Sequence, residues 1–315
     1  MAGDSISTNQ NIERDLMLKS ILMVWLLAHN LALTQEAYED YLGYRSVDEG
    51  VISAELAAAI DRPELVGARF VTMMPRSGPQ VGLRLVEGDA SGYVPMKRVG
   101  WSAIELLVKD PKKLETELPD SAFEHLQGPD FLTEQKNILA MQVTGPNREL
   151  FYLTHMIDPS KSFLRPQPSP EPVGHTFIMV MGSPDLGASL AFWQRHFDNS
   201  VVGPIPYRIG VLSDAYDLPG DTLHPLALVS MSDGYGIEID QYPDEATAVP
   251  APYGERGGVI LVSLSVDPEG LKTPLPWRLP YTNTAGAVEG GIVTLPSGAP
   301  IEIALTNPVL PAPIN

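Results

Sequence analysis

The hydrophobic residues of this chain fall into runs of two kinds. Four are short and nearly unbroken: SILMVWLL (20–27), GWSAIELLVKD (100–110), GHTFIMV (174–180) and GGVILVSLSVD (257–267). Runs of that length and richness in branched residues predict strands covered on both faces. Amphipathic stretches follow the first three and predict helices: TQEAYEDYLGYR (34–45), PKKLETEL (111–118) and residues 186–197. After the fourth run a helix is poorly defined. Shorter apolar runs come next. GARFVTMM (67–74) and VGLRLVEG (81–88) read as a hairpin, and NILAMQVTG (137–145) with RELFYLTHM (148–156) reads as the close of a second unit. The third unit is expected as a strand at 175–182, the helix, and strands at 206–212, 224–231 and 235–242.

Two strand endings are alike. DGYGIEIDQY (233–242) and PSGAPIEIAL (296–305) each place a turn before Ile-Glu-Ile, and their glutamates, Glu238 and Glu302, are 64 residues apart (302 − 238). Repetition at that length suggests copies of one supersecondary unit. Arg84 and Tyr152 occupy the matching places in the first half. The clearest seam is IDPSKSFLRPQPSPEP, whose prolines sustain neither a helix nor a central strand. The expected division is therefore residues 1–156, a linker at 157–172, and residues 173–315, with each half a curled sheet carrying helices outside.

Composition narrows the function. The chain is 44% hydrophobic and 19% charged, as expected of a soluble protein with a sizeable core, and its formal net charge is −18. Such a surface repels phosphate backbones and anionic lipid, so neither nucleic acid nor a membrane is an expected partner. The absence of cysteine excludes disulfides and thiolate metal sites. The apolar stretch Met17–Leu33 is interrupted by Lys19, His29 and Asn30 and is too short for a bilayer. It reads as a strand leading into a helix, and a cytoplasmic location is expected. No Walker-type loop, dinucleotide glycine motif or Gly-x-Ser-x-Gly elbow occurs, and the Gly-rich AGAVEGG reads as a loop.

GHTFIMV, the LAFW helix segment (190–193), the two Ile-Glu-Ile endings and the repeat length together resemble the vicinal oxygen chelate superfamily. The resemblance covers nearly the whole chain. It implies an α+β fold of four βαβββ modules arranged as two tandem domains, like the extradiol ring-cleaving dioxygenases, with a metal held in the C-terminal half. LHPLALV (223–229) resembles a dioxygenase strand bearing an acid/base histidine, which would be His224. LPSGAPIE (295–302) resembles the turn before the dioxygenases' glutamate ligand. By match, His175 would be the first metal ligand and Glu302 the last, with Glu238 at the carboxylate position of glyoxalase-like members. The last opening strand carries no histidine, and GGIVT (290–294) carries no tyrosine, where dioxygenases have them.

One imidazole and two carboxylates suit Fe2+, Mn2+, Zn2+ or Mg2+ with open positions for substrate. Their charge leaves a weak Lewis acid, which favours assisted proton transfer over oxygen reduction. The expectation is a metal-dependent lyase or isomerase acting on a small oxygenated substrate, aromatic ones included, with His224 moving the proton. Tyr207, Tyr235, Trp277 and Tyr281 are available to line its pocket. Two alternatives stand beside it: an extradiol-type dioxygenase with atypical ligands, and a non-catalytic small-molecule binding protein. The first half would support the second or close a subunit interface, and a homodimer is a compatible assembly. Plainer roles also fit these residues. His175 needs only a hydrogen bond, Glu238 and Glu302 suit solvent-facing strand positions, and His224 before Pro225 suits a loop end. Arg84 and Tyr152 suit pairing across a sheet, and His29, His125 and His155 are assigned no site.

Overall fold

A computed structural model describes residues 18–247, 257–267, 269, 271–282 and 286–305. Met17, at the head of the first apolar stretch, and Ala285, in AGAVEGG, lie outside the described residues; residues 288–291 of AGAVEGG, expected as a loop, are strand. The first module comprises β1 (Leu18–Ala28), α1 (Leu31–Asp40), β2 (Arg45–Val51), α2 (Ala54–Ala59), β3 (Arg69–Met74) and β4 (Gly82–Glu87). The second comprises β5 (Gly100–Val108), α3 (Pro111–Glu117), β6 (Glu124–Phe131), β7 (Ile138–Thr144) and β8 (Leu150–Met156). The third runs through β9 (Val173–Ser183), α4 (Leu186–His196), β10 (Val201–Arg208), α5 (Gly210–Ala215), β11 (Leu223–Ser230), β12 (Gly236–Gln241) and α6 (Asp244–Thr247). The fourth has β13 (Val259–Val266), β14 (Trp277–Thr282), β15 (Val288–Thr294) and β16 (Pro300–Ala304), with no α-helix between β13 and β14 among the described residues.

Local chemistry sets the element ends. Asn30, Asp110 and Asp185 cap α1, α3 and α4 by accepting backbone N–H bonds two or three residues on. The Asn30 cap starts α1 at residue 31, three residues before the expected 34, and Gly43 at φ +69° follows its end. The residues that follow form β2, a strand the pattern did not announce. In the third module the strand expected at 206–212 lies at Val201–Arg208, and α5 takes the remainder. Pro204 and Pro206 lie within the observed strand. They are accommodated because β10 is an edge strand with one unpaired side. No helix of the described residues is long and apolar enough to cross a membrane.

The strands form two eight-stranded mixed sheets, in the orders β14-β15-β16-β13-β1-β4-β3-β2 and β10-β11-β12-β9-β5-β8-β7-β6. The α+β class and the four modules are as expected, but the sheets are not assembled half by half. Module one joins module four through antiparallel β1 and β13, and module two joins module three through antiparallel β5 and β9. Every residue of β5, β9 and β13 is buried, so each strand needs a neighbour on both edges and cover on both faces. Residues 157–172 join β8 to β9 within one sheet. They form a strap held by the Lys109 amide and ammonium, which donate to the Pro172 and Pro170 carbonyls at 3.0 and 2.6 Å. Crossing between sheets falls instead to the connections after β4 and β12. The core is shared: Trp101 Nε1 donates to the Pro300 carbonyl at 3.0 Å, and Tyr38 of α1 packs edge-on against Phe151 of β8 at 5.9 Å.

Candidate ligand site

In each module a residue of the opening strand lies beside one of the closing strand. The first sheet places Trp25 beside Arg84 and Ser263 beside Glu302. The second places Glu105 beside Tyr152 and Val180 beside Glu238. These four pairs mark equivalent positions, two in each sheet.

In the first sheet the position is held by an internal cation. The Arg84 guanidinium pairs with Asp48 at 2.6 Å, donates to Thr72 Oγ1 at 2.7 Å, and lies 4.5 and 4.1 Å from the ring centres of Trp25 and Phe70. Burial lowers its pKa, opposed by the charges of Asp48 and Glu302. Glu302 accepts bonds from Ser263 and Tyr281, and Trp25 Nε1 donates to the Ser263 hydroxyl at 3.2 Å. Helix α2 and its neighbours pack on Trp25 and Leu27 in the same apolar cluster. Arg278 of β14 clamps Asp61, just beyond α2, with two bonds of 2.8 Å.

The second sheet holds a cavity of about 770 Å³. Glu105, Tyr152 and Glu238 line it, with Phe177, Ile178 and Tyr207 among its other walls. Burial pushes Glu105 up to about 7 even though its carboxylate accepts a 2.6 Å bond from Thr154. Burial, then the nearby Asp240 and Glu105, raise Glu238 well above the carboxylate range. Asp240, two residues along the same face of β12, is also raised by burial, and neither of its oxygens has a hydrogen-bond partner. The Tyr152 hydroxyl is likewise buried without a partner, and burial together with the surrounding carboxylates keeps it protonated. Helix α5 sits at the rim, where Gln127 Nε2 donates to Asp214 at 2.6 Å.

This geometry separates the residues that sequence matching had grouped as ligands. His175 precedes Val180, the neighbour of Glu238, by five positions (180 − 175), about 16 Å along an extended strand. His175 is buried, lies 5.4 Å from the Tyr235 ring, has no partner at Nδ1, and is lowered by burial to about 4. Glu302 belongs to the other sheet. Among the described residues, no three His, Asp or Glu side chains converge to hold an ion. The donors present therefore do not fit the divalent metal that the resemblance implied.

His224 is buried beside Tyr207 and shares a 3.0 Å hydrogen bond with Ser213 of α5, and burial lowers its pKa. Tyr207 lines the cavity, its hydroxyl donating to the Leu132 carbonyl at 2.7 Å. Trp277 and Tyr281 lie on β14 of the first sheet. Glu105 was missed by sequence reading, although one signal marked it. It is the sole charged residue in the buried strand GWSAIELLV.

No protein-family model matches the chain, and no curated protein matches it. Solved structures do. Glyoxalase I from Zea mays is 11% identical with a TM-score of 0.58, covering 90% of this chain and 92% of that one. A putative dioxygenase from Bacillus subtilis subsp. subtilis str. 168 is 13% identical with a TM-score of 0.58, covering 93% and 86%. The chain has the vicinal oxygen chelate fold. Both likenesses span all four modules, and at these identities they speak for the fold alone. Within the vicinal oxygen chelate arrangement, the equivalent positions described above carry Trp25, Arg84, Ser263 and Glu302 in one sheet and Glu105, Tyr152, Val180 and Glu238 in the other.

Proposed function

We propose that the cavity of the second sheet binds a small, largely apolar oxygenated molecule, and that Glu105 and Glu238 move a proton on it in an isomerase- or lyase-type reaction. The observation that carries this reading is the pair of carboxyls lining one cavity with their pKa raised by burial, Glu105 to about 7. A carboxyl near neutrality both takes and returns a proton at physiological pH. The Tyr152 hydroxyl, unpartnered at the same wall, is free to hydrogen-bond a polar group of the ligand. The expected ligand set gives less support to a metal-dependent route or to ring cleavage with O2, because its members lie in two sheets.

Proton transfer next to a carbonyl is read directly as deuterium uptake by NMR in D2O, using a panel of neutral and amine-bearing aryl ketones. Exchange is expected for at least one class, unaffected by EDTA, and lowered about a hundredfold or more in Glu105→Gln and Glu238→Gln. Exchange that EDTA abolishes would return the chemistry to a metal. Binding without any exchange would leave a receptor that does not turn its ligand over.

A further inference from the structure

Three features of the second-sheet cavity bear on the charge of what it holds. Glu105 on β5 and Glu238 on β12 both face it, and Asp240 lies beside Glu238 on the same strand face. The basic side chains lining it, Lys161 and Arg208, are exposed, and Lys161 is already paired with Asp158 at 3.0 Å. The Tyr152 hydroxyl, in a residue 92% buried (8% exposed), reaches the same cavity with no hydrogen-bond partner.

A buried carboxylate without a cation costs several kcal/mol. In the first sheet, the equivalent position next to Glu302 holds the Arg84 guanidinium, stacked on Trp25 and Phe70. The second sheet repeats the aromatic and carboxylate surroundings, with Tyr152 and Tyr207 near Glu105 and Glu238. It supplies no cation of its own among the described residues lining the cavity, apart from those exposed side chains.

Resting on the second-sheet cavity as the ligand site, we propose that its ligand is an organic monocation, a protonated amine on an apolar body. The ammonium lies between Glu238 and Glu105 with the Tyr152 oxygen as a further acceptor, in the role Arg84 plays in the other sheet. An ammonium donates and does not accept, so it matches carboxylates, which have several lone pairs each, and a phenol oxygen that has no partner. The apolar body meets Phe177 and Ile178. The chain's net charge of −18 draws cations toward the mouth.

The test is calorimetric titration of the full-length protein with three matched pairs: 2-phenylethylamine and 2-phenylethanol, 3-phenylpropylamine and 3-phenylpropanol, and cyclohexylmethylamine and cyclohexylmethanol. At least one amine is expected to bind about tenfold or more tighter than its alcohol. Glu238→Gln should bring that ratio to within about threefold. Tyr152→Phe, which preserves the shape of the wall, should lower amine affinity with little effect on the alcohol. Equal affinity within every pair would overturn the monocation and leave the cavity as a neutral ligand site. An amine preference that persists in both variants would place the cation elsewhere and overturn the proposal. If none of the six compounds binds, both the monocation and the cavity as a site for molecules of this size are overturned.

Discussion

Burial holds His175 near 4, against 6.5 for an ordinary imidazole, so the ring is neutral in the folded protein at pH 7. The unfolded chain takes up a proton as pH falls below 6.5, whereas the folded chain does so only near 4. Stability supplied by the neutral ring is therefore lost as pH drops through that window. His175→Phe keeps a ring against Tyr235, and its urea midpoint should fall less than the wild type's between pH 7 and 5. Metal content, read by mass spectrometry, should be the same in both proteins, and a loss confined to the variant would reinstate His175 as a ligand. Arg84 is the opposite case, a charge whose partners are in place. Arg84→Met leaves Asp48 and Glu302 facing apolar rings and should cost about 2–4 kcal/mol. Adding Asp48→Asn should recover part of that cost, as a double-mutant cycle in denaturant would show.

Helix α1 belongs to the first module but is anchored in the second. Its Tyr38 hydroxyl donates to Glu149 at 2.5 Å in the turn before β8, and Asn147 donates to the same carboxylate from its backbone at 2.7 Å. Burial pushes Glu149 up to about 7 despite these bonds. It is protonated at low pH, and the folded state is penalised as pH rises from 4.5 through 7. Relative to its own value at pH 5, the wild type should lose up to about 3 kcal/mol more stability by pH 8 than Glu149→Gln does. Parallel curves for the two proteins would mean that this carboxyl is solvated. The pattern of apolar residues announced α1, α3 and α4 because each has a capping side chain and one apolar face. It misplaced β10 because prolines, which stop a central strand, are tolerated at an edge. It missed β2, whose RSVDEGV is half-exposed and lacks an apolar run.

Cutting the chain at 157–172 separates partners in both sheets, since β1 then loses β13 and β5 loses β9. Residues 1–156 and 173–315, expressed apart, should each give poorly dispersed amide spectra, and mixing or co-expressing them should restore dispersion. A segment spanning β5 to β12 keeps one sheet continuous, and should retain more protected amides than either half. Folded, independent halves would show that the cross-sheet pairing is dispensable. The site depends on this same pairing. Glu105 faces Glu238 only because module two meets module three, and Arg84 meets Glu302 only because module one meets module four.

The modules themselves were legible in the sequence. Buried strands need unbroken apolar runs, helices need caps and one apolar face, and repetition leaves Ile-Glu-Ile at two matching ends. The special standing of Glu238 and Glu302 was also visible, since a carboxylate between isoleucines requires a stated environment. Which modules share a sheet was decided only in three dimensions. The four opening strands are almost interchangeable in composition, so local pattern does not rank one partner above another. That choice placed the two glutamates in different cups, gave one an arginine and the other a second carboxyl, and left His175 too far along its strand to join either.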